Sequence, residues 1–262
     1  MLTRQTFAQR FGRKAIFGMV HLRALPGSPL YDGSIDAVID AAVADARAIR
    51  DGGCDGIVFE NFGDRPFHKN RVEAVTIAAL TRVIGEVNRE VSLPFGVNVL
   101  RNDPRAALAI AAMTGATFIR INVHTGVMFT DQGMIEGEAS ETLRVRKAIA
   151  PDVAIFADHF VKHAIPPPGA DPVQTAKDLR HRGLADAVII SGAETGSAPD
   201  ADRLRVVREA LDDTPILIGS GLTESNAALF ADADGAIVGT SLKRDGAVDV
   251  KLVERLIGAF KR

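Results

Sequence analysis

The sequence predicts an α/β fold, a single (β/α)8 TIM barrel spanning residues 1–262, and three observations carry that reading. Eight short apolar runs alternate with longer amphipathic stretches along the whole chain, the pattern of strand–helix units that close a parallel sheet. Connections from helix to strand are terse, at 52–55, 92–94, 151–152 and 232–234, whereas those from strand to helix, at 21–35, 60–69, 122–135, 158–170 and 191–199, are long and polar. No linker or composition break divides the 262 residues, a length typical of one barrel. An open doubly wound sheet is the second choice.

Residues 1–13, with Arg4, Arg10 and Arg13 beside Phe7 and Phe11, read as an N-terminal cap. They contain no apolar run ahead of a small-residue cleavage site, so a secretory signal is excluded. Strands are expected at 15–20, 56–59, 95–99, 118–123, 153–157, 187–190, 216–218 and 235–238. Helical spacing marks 35–50, where Val38, Ala42, Ala46 and Ile49 share a face, and likewise 71–90 and 201–211. Asp103-Pro104 reads as an N-cap followed by proline at the first helical position.

Hydrophobic residues make up 47% of the chain, enough for a large core, and the formal net charge of −2 gives no pull toward nucleic acid or an anionic membrane. Cys54 stands alone, so neither an internal disulfide nor a cysteine metal cluster can form. No stretch reaches the ~18 consecutive apolar residues of a membrane span. A cytoplasmic location is expected.

Five of the six histidines follow predicted strands on the elaborated end: His21, His68, His124, His159 and His163; His181 falls in a helix. His21 and His124 close apolar strands and are the better functional candidates. Residues two apart on a strand point the same way, so Arg120, Asn122 and His124 are expected to face the barrel mouth together. A buried arginine needs a carboxylate or an anionic ligand; Glu60, closing the second strand, is one expected partner and a ligand the other. Glu60 and Asp158 end strands two and five and are candidates to divide acid and base duties. With histidine they also form a candidate divalent-metal set, His21, Glu60 and Asp158, although no histidine spacing fixes one. No cofactor is otherwise expected. Asn98 suits a sugar hydroxyl.

After strands seven and eight come Gly219-Ser220-Gly221 and Gly239-Thr240-Ser241. Paired glycine-rich turns at these places form phosphate sites in many barrels, with backbone amides and a helix N-terminus facing the anion. Tight turns capped by Ser and Thr are the bland alternative. A Schiff-base mechanism needs a desolvated lysine, and only Lys162 and Lys243 could approach the site. No dinucleotide fingerprint or P-loop is present.

Taken in order, these motifs resemble the BtpA family, which includes SgcQ-like proteins. The resemblance rests on Gly18-Met19-Val20-His21-Leu22 with Leu25-Pro26-Gly27, on Glu60-Asn61-Phe62-Gly63-Asp64, and on Val97-Asn98-Val99-Leu100-Arg101-Asn102-Asp103. It continues through Arg120-Ile121-Asn122-Val123-His124-Thr125-Gly126, Asp158 with Lys162-His163, Ser191-Gly192 with Thr195-Gly196, and both glycine-rich turns. His159-Phe160 departs from the more aliphatic family pattern. The resemblance implies a phosphate-binding barrel, with Lys162 and Ser191 joining Asn98, Arg120 and Asn122 around the substrate. It implies a small phosphorylated partner and leaves a homo-oligomer open. The leading expectation is an enzyme acting on a phosphorylated sugar or nucleoside, with Glu60, Asp158 and His124 exchanging protons and His21 orienting or ligating. On family grounds a nucleosidase is preferred to a phosphosugar isomerase or aldolase. The alternatives are a non-catalytic photosystem I assembly factor and a ligand sensor without turnover.

Overall fold

A computed structural model describes residues 1–262. Its apolar runs become eight parallel strands: β1 (Ala15–His21), β2 (Gly56–Glu60), β3 (Phe95–Asn98), β4 (Phe118–Ile121), β5 (Ala154–His159), β6 (Ala187–Ile190), β7 (Ile216–Ile218) and β8 (Gly235–Val238). Each pairs with its neighbours in chain order, and β1 bonds to β8 to close the barrel. The outer layer is α2 (Ile35–Asp51), α3 (Ala74–Glu90), α4 (Pro104–Thr114), α5 (Ala139–Ile149), α6 (Pro172–Lys177, continued by a π-turn at Asp178–Arg182), α7 (Ala201–Ala210) and α8 (Val250–Phe260). Only a 3-10 turn, Ala227–Phe230, follows β7. Asp103 caps α4 by accepting from the Ala106 amide, with Pro104 in the first turn.

Strand alternation sorts the side chains. Outward residues such as Ile16, Val20, Ile57, Val97 and Ile119 pack under the helices. Inward ones ascend from apolar to polar. The lower lumen holds Phe17, Met19, Val58, Phe118, Phe156, Ile189, Leu217 and Ile237, with Phe118 and Phe156 stacked 4.3 Å apart. Its bottom is plugged by α1 (Arg4–Phe11), whose Phe11 meets the rings of Phe17, Phe118 and Phe156 at 5.5, 5.8 and 5.7 Å. A reciprocal Thr3–Thr6 capping box starts α1, and Arg10 latches it to the carbonyls of Thr117 and Asp152. With the floor filled by α1, the lumen itself opens at the opposite end.

The long polar connection expected at 122–135 carries strands of its own. Val127–Thr130 and Gly133–Glu136 form a hairpin, joined by Ala164–Ile165 into a three-stranded antiparallel sheet above β4 and β5. Its inner face packs Met128 and Ile135 onto Val123 and Val161.

Candidate functional site

Above the aromatic layer the inward positions become His21, Glu60, Asn98, Arg120, Asn122, Asp158 and Ser191. Apart from His21, which is half-buried, all are buried. Arg120 is buried completely and pairs with Asp158, not with Glu60. Its Nε and Nη2 donate to the two carboxylate oxygens at 3.1 and 3.0 Å. Strand order explains this correction: β5 lies directly beside β4, whereas Glu60 stands two strands away on β2. Asp158 also accepts from Asn122 Nδ2 at 2.8 Å and Ser191 Oγ at 3.4 Å. Asn122 Oδ1 accepts in turn from Asn98 Nδ2 at 3.1 Å. Asp158 is thus the hub of a network, with its lone pairs engaged, which suits positioning better than proton transfer.

Glu60 is its opposite. Both of its carboxylate oxygens are buried without a hydrogen-bond partner in the protein, as are Asn98 Oδ1 and Arg120 Nη1. Buried polar atoms are normally paired, each unpaired one costing about 1–3 kcal/mol, so four together at the mouth are an exception in this fold. His21 Nε2 stands 3.5 Å from Glu60 Oε1. Burial, reinforced by the positive charges of Lys243, Lys162 and Arg120, drives the His21 pKa down to about 3, so its imidazole is neutral. The contact is therefore a neutral ring beside a carboxylate.

His21, Arg120 and Lys162 line a cavity of about 180 Å³ together with the turns after β7 and β8. Lys162 is buried, and desolvation lowers its pKa while Glu60 pulls the other way. Lys243, the other candidate, is tied to Asp45 at 3.1 Å and belongs to the wall. Arg101, not singled out among the site residues, is buried and donates to the Lys162 carbonyl at 2.6 Å. Three cations, Arg101, Arg120 and Lys162, thus outnumber the carboxylates Glu60 and Asp158, and the excess favours an anion.

The glycine-rich turns bound this cavity, with one adjustment of their expected roles. Ser220 Oγ accepts from the Gly192 amide and donates to the Ser197 carbonyl, both at 2.9 Å. Ser241 Oγ donates to the Leu222 carbonyl at 2.6 Å. Both hydroxyls therefore stitch loops together. Both serines still line the cavity, together with Gly219, Gly221, Gly239 and Thr240. Gly221 has φ +65°, and a Cβ there would sit 2.1 Å from the Ala198 amide nitrogen. At Gly239 a Cβ would approach His21 Cε1 to 2.7 Å. The expected helix N-terminus is only a three-residue 3-10 turn, Thr240–Leu242, so helix polarity adds little.

His124 does not join the mouth. β4 ends at Ile121, alternation lapses, and His124 Nε2 bonds instead to the Gly183 carbonyl at 2.8 Å. Its assignment to proton transfer finds no geometric support. His159 lies beyond Asp158 with Nε2 on Thr175 Oγ1, and exposed His163 meets Thr195 Oγ1, each at 2.9 Å. His68 lies in a loop bordering a different pocket, and His181 is in the π-turn. The suggested metal set does not assemble, since no three His, Cys, Asp or Glu side chains are arranged to hold an ion and Asp158 is taken by Arg120.

The family model described as the BtpA family matches residues 12–262. The photosystem I biogenesis protein BtpA of Synechocystis sp. is 46% identical over 246 residues, covering 94% of this chain and 86% of that protein. The sgc region protein SgcQ of Escherichia coli is 35% identical over 237 residues, covering 89% and 87%. Among solved structures, thiamine phosphate pyrophosphorylase from Pyrococcus furiosus superposes with a TM-score of 0.60 at 16% identity, covering 95% of this chain and 96% of its own. N-(5'-phosphoribosyl)anthranilate isomerase from the same organism gives 0.57 at 14% identity, covering 94% and 98%. At such identities the likeness is one of fold. No helix is long and apolar enough to cross a membrane.

Proposed function

The chain belongs to the BtpA family, and on that premise we propose that it is an enzyme acting on a small phosphorylated sugar or nucleoside. The phosphate rests on the backbone of Gly219–Gly221 and Gly239–Thr240, with Lys162 as its counter-charge. Arg120 Nη1 and Asn98 Oδ1, a free donor and a free acceptor, orient substrate hydroxyls. Asp158 holds Arg120 and Asn122 in place.

The observation that carries the reading is the buried, unpartnered Glu60 carboxylate 3.5 Å behind a neutral His21 that lines the cavity. A neutral imidazole whose pKa is about 3 does not hold an extra proton at neutral pH, so it relays one. One ring nitrogen accepts as Nε2 donates its own proton to Glu60, whose carboxylate is the base. This pair can activate a water for glycosidic C–N cleavage or remove a proton beside a carbonyl. Cleavage is preferred on family grounds. A purely scaffolding role in assembly has no need of four unpaired polar atoms in the mouth.

The test is a turnover screen of sugar phosphates and nucleotides with wild type and Glu60→Gln. General acid–base loss typically costs about 10²–10⁴-fold. The variant should lose turnover in that range while melting no lower than wild type. Wild-type rates in Glu60→Gln would remove the assignment.

A further inference from the structure

A second cavity of about 180 Å³ lies across the Arg120–Asp158 pair from the first. Arg120 borders the cavity of the glycine-rich turns, whereas Asp158 and Asn122 border this one. Its character differs. The lining is mixed, with Val127, Met128, Phe160 and Leu179 as an apolar side and Asn122, Asp158, His159 and Thr175 among its polar residues.

His159 has a fixed tautomer. The single hydroxyl proton of Thr175 is directed to the carbonyls of Asp171, at 2.8 Å, and Pro172, at 3.2 Å. Thr175 Oγ1 must then accept the proton of His159 Nε2, 2.9 Å away. Nδ1 is left with a bare lone pair, and it is buried with no partner. Burial, with the charge of Arg203, holds the ring neutral by lowering its pKa to about 3. His159 and Phe160 are stacked, their centroids 4.3 Å apart. Phe160 sits in the left-handed region at φ 54°. Arg203 clamps this conformation by donating to the carbonyls of His159 and Phe160, with its guanidinium 5.3 Å from the Phe160 ring. The result is a slot with an apolar side at Met128 and Phe160 and a pre-set hydrogen-bond acceptor on His159.

We propose that this cavity is the subsite for a flat heteroaromatic ring bearing an N–H, a proposal that rests on the phosphate reading above and narrows it. The substrate class is then a nucleoside monophosphate or a similar ring-bearing glycosyl phosphate, not a bare sugar phosphate. The ring N–H donates to His159 Nδ1, its faces lie against Met128 and Phe160, and the sugar crosses Arg120–Asp158 toward the glycine-rich turns. A bare phosphosugar would leave Nδ1 unpaired and the apolar wall wet.

The experiment is calorimetric titration of the full chain with four probes: inorganic phosphate, ribose 5-phosphate, uridine 5'-monophosphate and inosine 5'-monophosphate. Wild type, His159→Phe and Phe160→Leu are compared; the first variant keeps ring and volume but loses the acceptor, and the second keeps the acceptor but loses the stacking face. At least one nucleotide should bind wild type about tenfold or more tighter than ribose 5-phosphate, the usual worth of one buried hydrogen bond with its apolar contacts. Each variant should lose most of that advantage with unchanged affinity for ribose 5-phosphate. Should one variant fail to fold, the other decides. Equal affinity of wild type for ribose 5-phosphate and both nucleotides overturns the subsite and leaves the phosphate reading standing. Full nucleotide advantage in a folded variant also overturns it, and no binding of any probe overturns both readings.

Discussion

Asp158→Asn separates the two mouth carboxylates, because the structure gives one a structural task and the other none. In wild type the Arg120–Asp158 pair has both side chains wholly out of water, and Asp158 receives two guanidinium bonds plus one each from Asn122 and Ser191. Removing one charge of such a pair strands the other in a medium that cannot solvate it, at a cost of about 3–5 kcal/mol. That is about a fifth or more of the ~5–15 kcal/mol holding a typical domain folded. With roughly 2–4 °C of melting temperature per kcal/mol for chains near this size, the expected fall is about 6–20 °C. Circular-dichroism melts of wild type, Asp158→Asn, Arg120→Met and the Arg120→Met/Asp158→Leu double variant test this. The double variant should recover much of the loss, since apolar replacements of buried pairs are often tolerated. Glu60→Gln, which breaks no hydrogen bond, should melt at or above wild type. Had Glu60 been the partner of Arg120, the two ranks would be reversed. An Asp158→Asn chain melting within about 2 °C of wild type would refute the reasoning, as that is under 1 kcal/mol.

Three further outcomes are expected. His21 and His159 stay neutral in the fold down to about pH 3 but protonate in the unfolded chain near 6.5. Their contribution is therefore complete above pH 6.5 and is lost as pH falls toward 3, by up to ~1.4 kcal/mol per pH unit for each ring. In melts from pH 7 to 4, His159→Phe should show the shallower slope; equal slopes would contradict the assignment. Phe11→Ala removes the ring that plugs the barrel floor and should cost about 3–5 kcal/mol in urea denaturation, with under 1 kcal/mol arguing against the plug. Gly221→Ala forces a Cβ into the Ala198 backbone at φ +65°, so it should lose any rise in melting temperature on adding inorganic phosphate; a wild-type rise would dismiss the turn as an anion cradle.

Strand positions were legible because inward and outward residues alternate under different demands. Phe17 and Met19 fill a lumen, Ile16 and Val20 meet helices, and His21 marks where the lumen opens. The pairing of Arg120 was also within reach, since barrel order puts the fifth strand, not the second, beside the fourth. The hairpin at Val127–Thr130 and Gly133–Glu136 was missed because four-residue strands inside a polar loop give little periodicity. Its signal was Asp131-Gln132-Gly133 between apolar runs, where Gly133 takes φ 89°. His124 was misread because alternation was carried three residues past the true end of its strand, Ile121. The slot around His159 was illegible, since Met128, Phe160 and Leu179 come from three separate segments and meet only once the hairpin has folded over the mouth.

The central claim, that the barrel mouth receives a phosphorylated small molecule, is tested most directly by melting wild type and Lys162→Met at increasing ribose 5-phosphate. A ligand at a hundred times its dissociation constant adds about 2.7 kcal/mol, or some 5–10 °C here. Wild type should climb by that amount and Lys162→Met should climb far less. A wild-type curve that stays flat into the millimolar range would contradict the account.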